Sequence, residues 1–263
     1  MRLALALAAA ALSVPFLAAQ TPNSVFLEDL TWVEARDALQ AGTTTIIIPT
    51  GGTEQNGPHM VLGKHNFLIR YKAGEVAKRL GKTLVAPVMA YVPEGSIDPP
   101  SGHMRFTGTI STPPEVFAKV LEFAARSFKQ HGFRDIAFMG DSGSNQPMQK
   151  QVSEMLNKEW ANTPVRVHHL SDFYPGRGDT WLKEQGVSDE VIGGHASIHD
   201  TASLMVLNPS MLRMDKAKLS KRDDGSGTVG DPSKSTIAYG KQILEMQIAD
   251  ATRQLGTLRD AKR

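Results

Sequence analysis

Short apolar segments alternate with amphipathic segments along most of this chain. Four segments are apolar, rich in β-branched residues and short enough to be buried strands: residues 43–48, 83–88, 135–139 and 165–170. Apolar residues recur at helical spacing in longer segments, namely residues 30–39, 67–80, 114–128, 145–160, 201–207 and 237–255. Strands that alternate with helices of this length are typical of βαβ units. We therefore predict an α/β fold, a three-layer α/β/α sandwich with a mostly parallel central sheet.

The long segments that lack either periodicity are rich in Pro, Gly, Ser and Asp. They are residues 89–112, 171–194 and 219–235. Loops of this length in a compact domain more often carry function than not. No low-complexity linker or internal repeat interrupts the pattern, so residues 24–258 are predicted to form a single domain.

The first 19 residues have the layout of a secretory signal peptide. A short positive start, Met1-Arg2, precedes an apolar stretch rich in Ala and Leu, and the small residues Ala18 and Ala19 come before polar residues. The apolar stretch is short for a transmembrane helix, which needs about 20 residues. We expect an exported protein, periplasmic or secreted, without stable membrane insertion after cleavage; an uncleaved membrane anchor is the alternative.

The composition narrows the classes of partner and of metal site. With 41% hydrophobic and 21% charged residues the chain is typical of soluble globular proteins. A net charge of +2 gives no reason to expect nucleic acid as a partner. Because the chain has no cysteine, it has no disulfides or thiolate ligands, and any metal must be held by His, Asp, Glu or water. Such ligands suit Zn, Mn, Fe or Mg.

The densest candidate chemistry follows the first predicted strand. Glu54, Asn56, His59 and His65 come after a Pro and Gly turn at the end of that strand. In open α/β sheets, ligands bind beyond the carboxyl ends of the strands. Carboxylates and neutral imidazoles that converge from several elements can hold a metal. On spacing alone, ordinary hydrogen-bonded loop residues are the alternative.

Three later segments add further candidates. Asp141 and Ser142 follow the third predicted strand, where a turn-stabilising Asp is the simpler interpretation. His195 and Asp200 follow a Gly-Gly turn and precede an apolar helix, where Asp200 or Thr201 could be only a helix cap. Residues 101–111, which include His103, form a Gly- and Thr-rich loop to which no chemistry is assigned from its own pattern.

Taken in chain order, these segments resemble the creatininase (creatinine amidohydrolase) family. The family signature Gly-Ser-x-Glu-Gln-His-Gly-Pro-His, followed by Gly-Thr-Asp, is similar to residues 51–65. Its Phe-Pro-Gly-Thr-Ile-Ser, Gly-His-Gly-Gly-Asn and His-Ala-Gly-x-x-Glu-Thr-Ser motifs resemble residues 106–111, 140–145 and 195–202, and its late Gly-Asp-Pro region resembles residues 230–240. The resemblance spans nearly the whole chain after the N-terminal segment and implies a creatininase-like fold.

The resemblance also implies a metal site, with changes at the ligand positions. The family usually binds two divalent ions. Glu54 keeps its family identity, the bridging Asp is His65, and the His of Gly-His-Gly is Asp141, so His and Asp have exchanged positions. The second site loses its His to Asn56 and loses the bridging carboxylate. We therefore expect one divalent ion, Zn with Mn or Fe as alternatives, held by Glu54, His65 and Asp141.

The activity that the resemblance implies is hydrolysis of a non-peptide C–N bond in a cyclic or small amide by metal-activated water. At the matching positions, His195 and Asp200 are the expected catalytic residues, Asp200 as ligand or general base and His195 as proton donor to the leaving group. The expected partner is a small-molecule substrate, and the family implies a homo-oligomer, a hexamer. His59, His103, His199 and Glu94 are further candidates without an assigned role.

Two other functions are consistent with the same residues. One is a non-catalytic exported ligand-binding protein that kept the fold. The other is a serine hydrolase that uses Ser142 with His195 and Asp200. The pattern Gly-x-Ser-x-Gly argues against the second, because it would need Gly where Ser144 stands.

Overall fold

A computed structural model describes residues 24–261, and the predicted signal peptide lies outside the described residues. The sheet has four strands: β1 (Thr45–Thr50), β2 (Thr83–Val85), β3 (Asp135–Gly140) and β4 (Arg166–His169). All neighbouring strands are parallel, in the order β2-β1-β3-β4. β1 and β3 pair over their full length and end side by side at Thr50 and Gly140.

Eight helices connect and cover the strands in the described part of the chain. The sequence sets several of their ends: Thr31 and Glu34 form a capping box at the first helix, and Gly132, at φ 104°, ends the third in the left-handed conformation. The helices are α1 (Trp32–Gln40), α2 (Lys64–Leu80), α3 (Pro114–His131), α4 (Gln146–Glu159), α5 (Gly178–Glu184), α6 (Asp189–Ile192), α7 (Ile198–Leu207) and α8 (Ile237–Asp260). None of these helices is long and apolar enough to span a membrane.

The two faces of the sheet pack against different helices. Alternate side chains of a strand point to opposite faces. Ile46 and Ile48 of β1 pack with side chains of α3 and α4, whereas Ile47 packs with side chains of α2 and α8. The prediction of a three-layer α/β/α sandwich with a parallel sheet is therefore confirmed.

The differences from the predicted elements concern the site. The helix predicted at residues 67–80 begins three residues earlier, at Lys64, and the helix predicted at residues 201–207 begins at Ile198. His65 and Asp200 thus lie in first turns of helices rather than in loops. The strand predicted at residues 83–88 ends at Val85, and the predicted loop at residues 171–194 contains two short helices.

Candidate active site

A cleft of about 970 Å³ opens at the carboxyl ends of β1 and β3. Its wall is built by the loop after β1, the first turn of α2, the loop after β3 and the turn before α7. Two loops that were predicted to be functional, around residues 94–106 and 222–229, also contribute. The charged side chains on its floor and behind it come from Glu54, Lys64, His65, Lys72, Asp141 and Asp200, which we call the charged cluster.

His65 lies between two carboxylates. Its Nε2 is 2.9 Å from Glu54 Oε1, and its Nδ1 is 2.9 Å from Asp141 Oδ2. Carboxylate oxygens only accept hydrogen bonds when ionised, so both ring nitrogens must donate and the ring is an imidazolium. Burial and the nearby Lys64 lower the pKa of His65, but the two carboxylates outweigh them and raise it.

Two buried lysines complete the cluster. Lys72 Nζ donates to Asp141 Oδ1 at 2.5 Å, and Lys64 Nζ lies 3.1 Å from Asp200 Oδ2 and 3.9 Å from Glu54 Oε1. The Lys64 side chain is 1% exposed. Burial lowers the pKa of Lys64, but the facing carboxylates of Asp200 and Glu54 raise it by more, so the ammonium stays charged.

The carboxylates of the cluster are ionised for the same reason. Burial by itself would raise the pKa of Asp141, Asp200 and Glu54. Lys72 lowers that of Asp141, Lys64 lowers that of Asp200, and His65 with Lys64 lowers that of Glu54. Three carboxylates therefore face three cations, and the cluster is neutral as it stands.

A different group of side chains converges at the cleft surface of Glu54. Potential ligand atoms of Glu54, His103 and His195 all lie within 4.8 Å of one another, so these three side chains could hold a metal ion. His103 Nε2 is 3.2 Å from Glu54 Oε2, and His195 Nδ1 is 3.9 Å from Glu54 Oε1. Burial lowers the pKa of both imidazoles, that of His195 to about 4, so both are neutral as ligands must be.

Gln55 holds these two imidazoles in place. Its side-chain Nε2 lies 2.9 Å from His103 Nδ1 and 3.0 Å from His195 Nε2, and the rings are 4.5 Å apart between centroids. The Gln55 backbone oxygen also lies 3.0 Å from His195 Nε2. If His195 Nε2 donates to this carbonyl, Nδ1 of His195 keeps a lone pair on the side of Glu54, and the Gln55 amide nitrogen, itself a donor, bonds only to His103 Nδ1. One carboxylate and two imidazoles are donor types that suit a zinc-like ion with an open position, and ligation by His103 Nε2 requires the tautomer with its proton on Nδ1.

The predicted ligand set of Glu54, His65 and Asp141 is brought together, but as hydrogen-bonded partners. An imidazolium that donates through both nitrogens has no lone pair for a metal. The ligand roles predicted for His65 and Asp141 therefore stay predictions, and the geometry favours Glu54 with His103 and His195. His103 had no assigned role, because its Gly- and Thr-rich loop gives no local signal of convergence on Glu54.

The predicted catalytic pair lines the same cleft. Asp200 accepts a hydrogen bond from the backbone N of Ala196 at 3.0 Å and pairs with Lys64. The neutral state of His195 suits a ligand better than a proton donor. Ser142 Oγ bonds to Ser144 Oγ at 2.9 Å, while His195 bonds to Gln55, so the serine triad is not assembled in residues 24–261.

The remaining candidate histidines point elsewhere. His199 Nδ1 is 2.9 Å from Asp179 Oδ1, and the buried His59 Nε2 is 3.0 Å from Thr201 Oγ1 on α7. Both contacts tie neighbouring elements together and are structural. Neither histidine belongs to the convergent group at Glu54.

Glu94 is a buried carboxyl on the cleft wall. Burial, together with the charge of Glu54, raises its pKa to about 10, so it is protonated at neutral pH. Gly52 makes room for it: a Cβ at that position, where φ is 156°, would overlap Glu94 Oε1. Within the described residues, neither carboxyl oxygen of Glu94 has a partner at normal hydrogen-bond distance and angle.

The sequence pattern did not lead to Lys64 and Lys72, although the positions of both lysines indicate an unusual environment. Lys72 interrupts the buried stripe of α2, where the neighbouring positions Leu68, Ile69, Ala73 and Val76 are apolar and buried. Lys64 and His65 stand in the first turn of α2, where the helix dipole favours anions rather than cations. Residues that break a local rule in this way often belong to a functional site.

Comparison with known proteins adds independent information. A sequence profile for creatininase, described as creatinine amidohydrolase, matches residues 28–255. The mycofactocin precursor peptide peptidase of Mycobacterium tuberculosis is 28% identical over 229 residues, which cover 82% of this chain and 86% of that protein. The creatinine amidohydrolase of Pseudomonas putida is 24% identical over 260 residues, which cover 88% of this chain and 97% of that protein.

A solved structure shares the fold. A mutant creatininase of the Zn-Zn type superposes with a TM-score of 0.72 at 21% identity, covering 90% of this chain and 99% of that chain. At this level of identity the likeness concerns the fold alone.

Proposed function

Because this chain belongs to the creatininase family, we propose that it is a metal-dependent hydrolase that cleaves a C–N bond in a cyclic or small amide. The family match covers most of the chain, and the named relatives are hydrolases. One relative is named a peptidase, so the amide of a short peptide is the alternative substrate. The observation that carries the proposal is the convergence of Glu54, His103 and His195 on the cleft.

These three residues would hold one divalent ion, zinc with manganese or iron as alternatives. Such an ion supplies a Lewis acid and lowers the pKa of bound water. Gln55 contacts both imidazoles, His103 through its side-chain nitrogen and His195 through its backbone oxygen, and such outer contacts orient ligands at metal sites. Oxygen and neutral imidazole donors agree with this type of ion.

The chain's own residues would position the substrate and the attacking water. Lys64 keeps Asp200 ionised, and the Asp200 carboxylate can accept a hydrogen bond from the water and orient it towards the amide carbon. His65 keeps Glu54 ionised in the same manner, so a negative ligand is maintained. The cleft is large enough for a substrate of several heavy atoms.

The test is metal analysis combined with hydrolysis assays. The purified protein is expected to hydrolyse a member of a panel of lactams, cyclic ureas and short peptide amides, to lose activity with a chelator and to regain it with Zn²⁺ or Mn²⁺. His103→Ala and His195→Ala should each lose the ion and the activity. His131→Ala, at an exposed histidine at the end of α3, is the matched control and should keep both.

Two outcomes would favour the other functions. Activity that resists the chelator and is lost in Ser142→Ala would favour the serine hydrolase. A folded protein with neither bound metal nor activity would favour the ligand-binding protein. Export is a separate proposal that rests on residues 1–19, and N-terminal sequencing of the protein recovered from outside the cytoplasm tests it.

A further inference from the structure

We propose that Lys64 is a resident cation that takes the place of a second divalent ion, so that removing its charge opens the cleft to additional metal. The proposal concerns the same site as the proposed function and rests on it for the presence of a first ion. It follows from the position of the ammonium group, from the hydrogen bonds around it and from the charge of the cluster.

The Lys64 ammonium lies where a bridging cation would lie. Its Nζ is 3.1 Å from Asp200 Oδ2 and 3.9 Å from Glu54 Oε1, carboxylates from two different segments of the cleft. The side chain is almost completely buried, which is costly for a cation unless carboxylates compensate it. A cation held in this way repels any further positive charge brought close to either carboxylate.

The neighbouring ligand atoms are already used by hydrogen-bond donors. His65 donates through both ring nitrogens, and Lys72 holds the second oxygen of Asp141. Asn56 Nδ2 donates to the backbone oxygens of Glu54, Val61 and Leu62. Asn56 Oδ1 is buried and has no partner within the described residues, but one amide oxygen is not a metal site by itself.

The charge of the cluster leads to the same conclusion. Glu54, Asp141 and Asp200 are balanced by Lys64, His65 and Lys72. The first divalent ion at Glu54 already brings the net charge of this cluster to +2, and a second ion would bring it to +4 in a poorly solvated site. With the first ion bound, replacing Lys64 by a neutral residue lowers the net charge of the cluster from +2 to +1, and replacing it by a carboxylate lowers it to zero. A solved creatininase of the same fold is described as the Zn-Zn type, so two ions are compatible with the fold itself.

The experiment counts and titrates ions in the full-length protein and its variants. Bound Zn²⁺ and Mn²⁺ are measured by elemental analysis after equilibration, and affinities by calorimetry. Lys64→Glu is expected to bind one ion more than the wild type. Lys64→Met is expected to bind the first ion at least tenfold more tightly, since the repulsion by the ammonium is removed. Lys64→Arg keeps the charge and should stay within about threefold of the wild type.

Lys158→Met removes an exposed lysine of α4 and serves as the matched control, with wild-type stoichiometry and affinity expected. Circular dichroism and thermal unfolding establish that each variant is folded. If Lys64→Glu does not fold, the affinity of Lys64→Met for the first ion tests the proposal. If neither variant folds, the number of ions bound by the wild type tests it.

The outcomes separate this proposal from the proposed function. Two tightly bound ions in the wild type, or no additional ion in folded Lys64→Glu together with unchanged affinity in folded Lys64→Met, would overturn the role of Lys64 and leave the hydrolase proposal standing. A wild type without metal would remove the metal site of the proposed function. A gain of ions in Lys64→Glu over that wild type would still support Lys64 as the excluding cation.

Discussion

Replacing Lys72 by Met tests the energetics of the charged cluster most directly. Lys72 Nζ is 2.5 Å from Asp141 Oδ1, and the two side chains are 3% and 5% exposed. Met has a similar unbranched stem and fits the same space, so the change removes charge more than volume. Breaking a buried ion pair by removing one partner costs about 3–5 kcal/mol. Because His65 still donates to Asp141, we expect about 3 kcal/mol, at the lower end of that range.

Urea unfolding in the presence of a chelator measures this free energy. The wild type, Lys72→Met, Asp141→Asn and the double variant form a double-mutant cycle, and a favourable coupling of more than about 1 kcal/mol between the two sites is expected. Lys150→Met is the matched control. Its ammonium is 4.0 Å from Glu154 and both side chains are 67% exposed, so its unfolding curve should coincide with that of the wild type.

The effect should depend on pH in a defined direction. The pKa of Asp141 is lowered in the folded state, so its pairing contributes full stability above the unfolded pKa of about 3.9 and loses it as the pH falls through the folded pKa. The difference between the wild type and Lys72→Met should therefore be largest near pH 7 and narrow below about pH 4. A difference under 1 kcal/mol at pH 7, or one that does not change down to pH 3, would refute the reasoning.

Three further predictions concern stability away from the lysines. Since the pKa of Glu94 is raised to about 10, the folded state keeps a proton that the unfolded state releases above about pH 4.3, and stability therefore falls as the pH rises. In the presence of a chelator, Glu94→Gln should make the melting temperature less dependent on pH between pH 5 and 9. Parallel curves of melting temperature against pH for the wild type and the variant would contradict this. Gly240→Ala in α8 should lower the free energy of unfolding in urea by about 1–3 kcal/mol, because the added Cβ would overlap the backbone oxygen of Ala202 in α7. Gly256→Ala in the same helix is the control: the atom nearest to its added Cβ is 3.5 Å away, so this change should be neutral or stabilising. Phe117→Ala should cost about 3–5 kcal/mol in the same assay, since the ring is fully buried between α3 and the sheet, and a loss below 1 kcal/mol would contradict that packing.

Local patterning was enough to predict the scaffold. The run at residues 43–48 is apolar on both faces of the strand, which is what a central parallel strand needs, and β1 is buried throughout. The apolar stripe of α3 and the glycine that ends it specify that helix through contacts within one or two turns. Such signals are short-range, so they can be identified without knowledge of the rest of the molecule.

The sequence predicted which residues gather at the site but not which of them contact one another. Glu54, His65, Asp141 and Asp200 were expected to meet at the carboxyl edge of the sheet, and they do lie there. The order of residues along the chain could not tell whether His65 ligates a metal or bridges two carboxylates. That choice depends on the start of α2 at Lys64, which turns both ring nitrogens towards oxygen atoms that are 11 and 76 residues away in sequence.

The sequence by itself determined the βαβ order, the buried strands and the strand ends at which polar residues gather. Each of these features follows from residue spacing and backbone preference over a few residues. Only the tertiary structure decided that His103 joins Glu54 and His195, and that Lys64 and Lys72 neutralise the carboxylates. Ion pairing and ligand convergence depend on distances of a few ångströms between elements far apart in the chain. Those distances are set by how the helices pack on the sheet, and no local pattern encodes them.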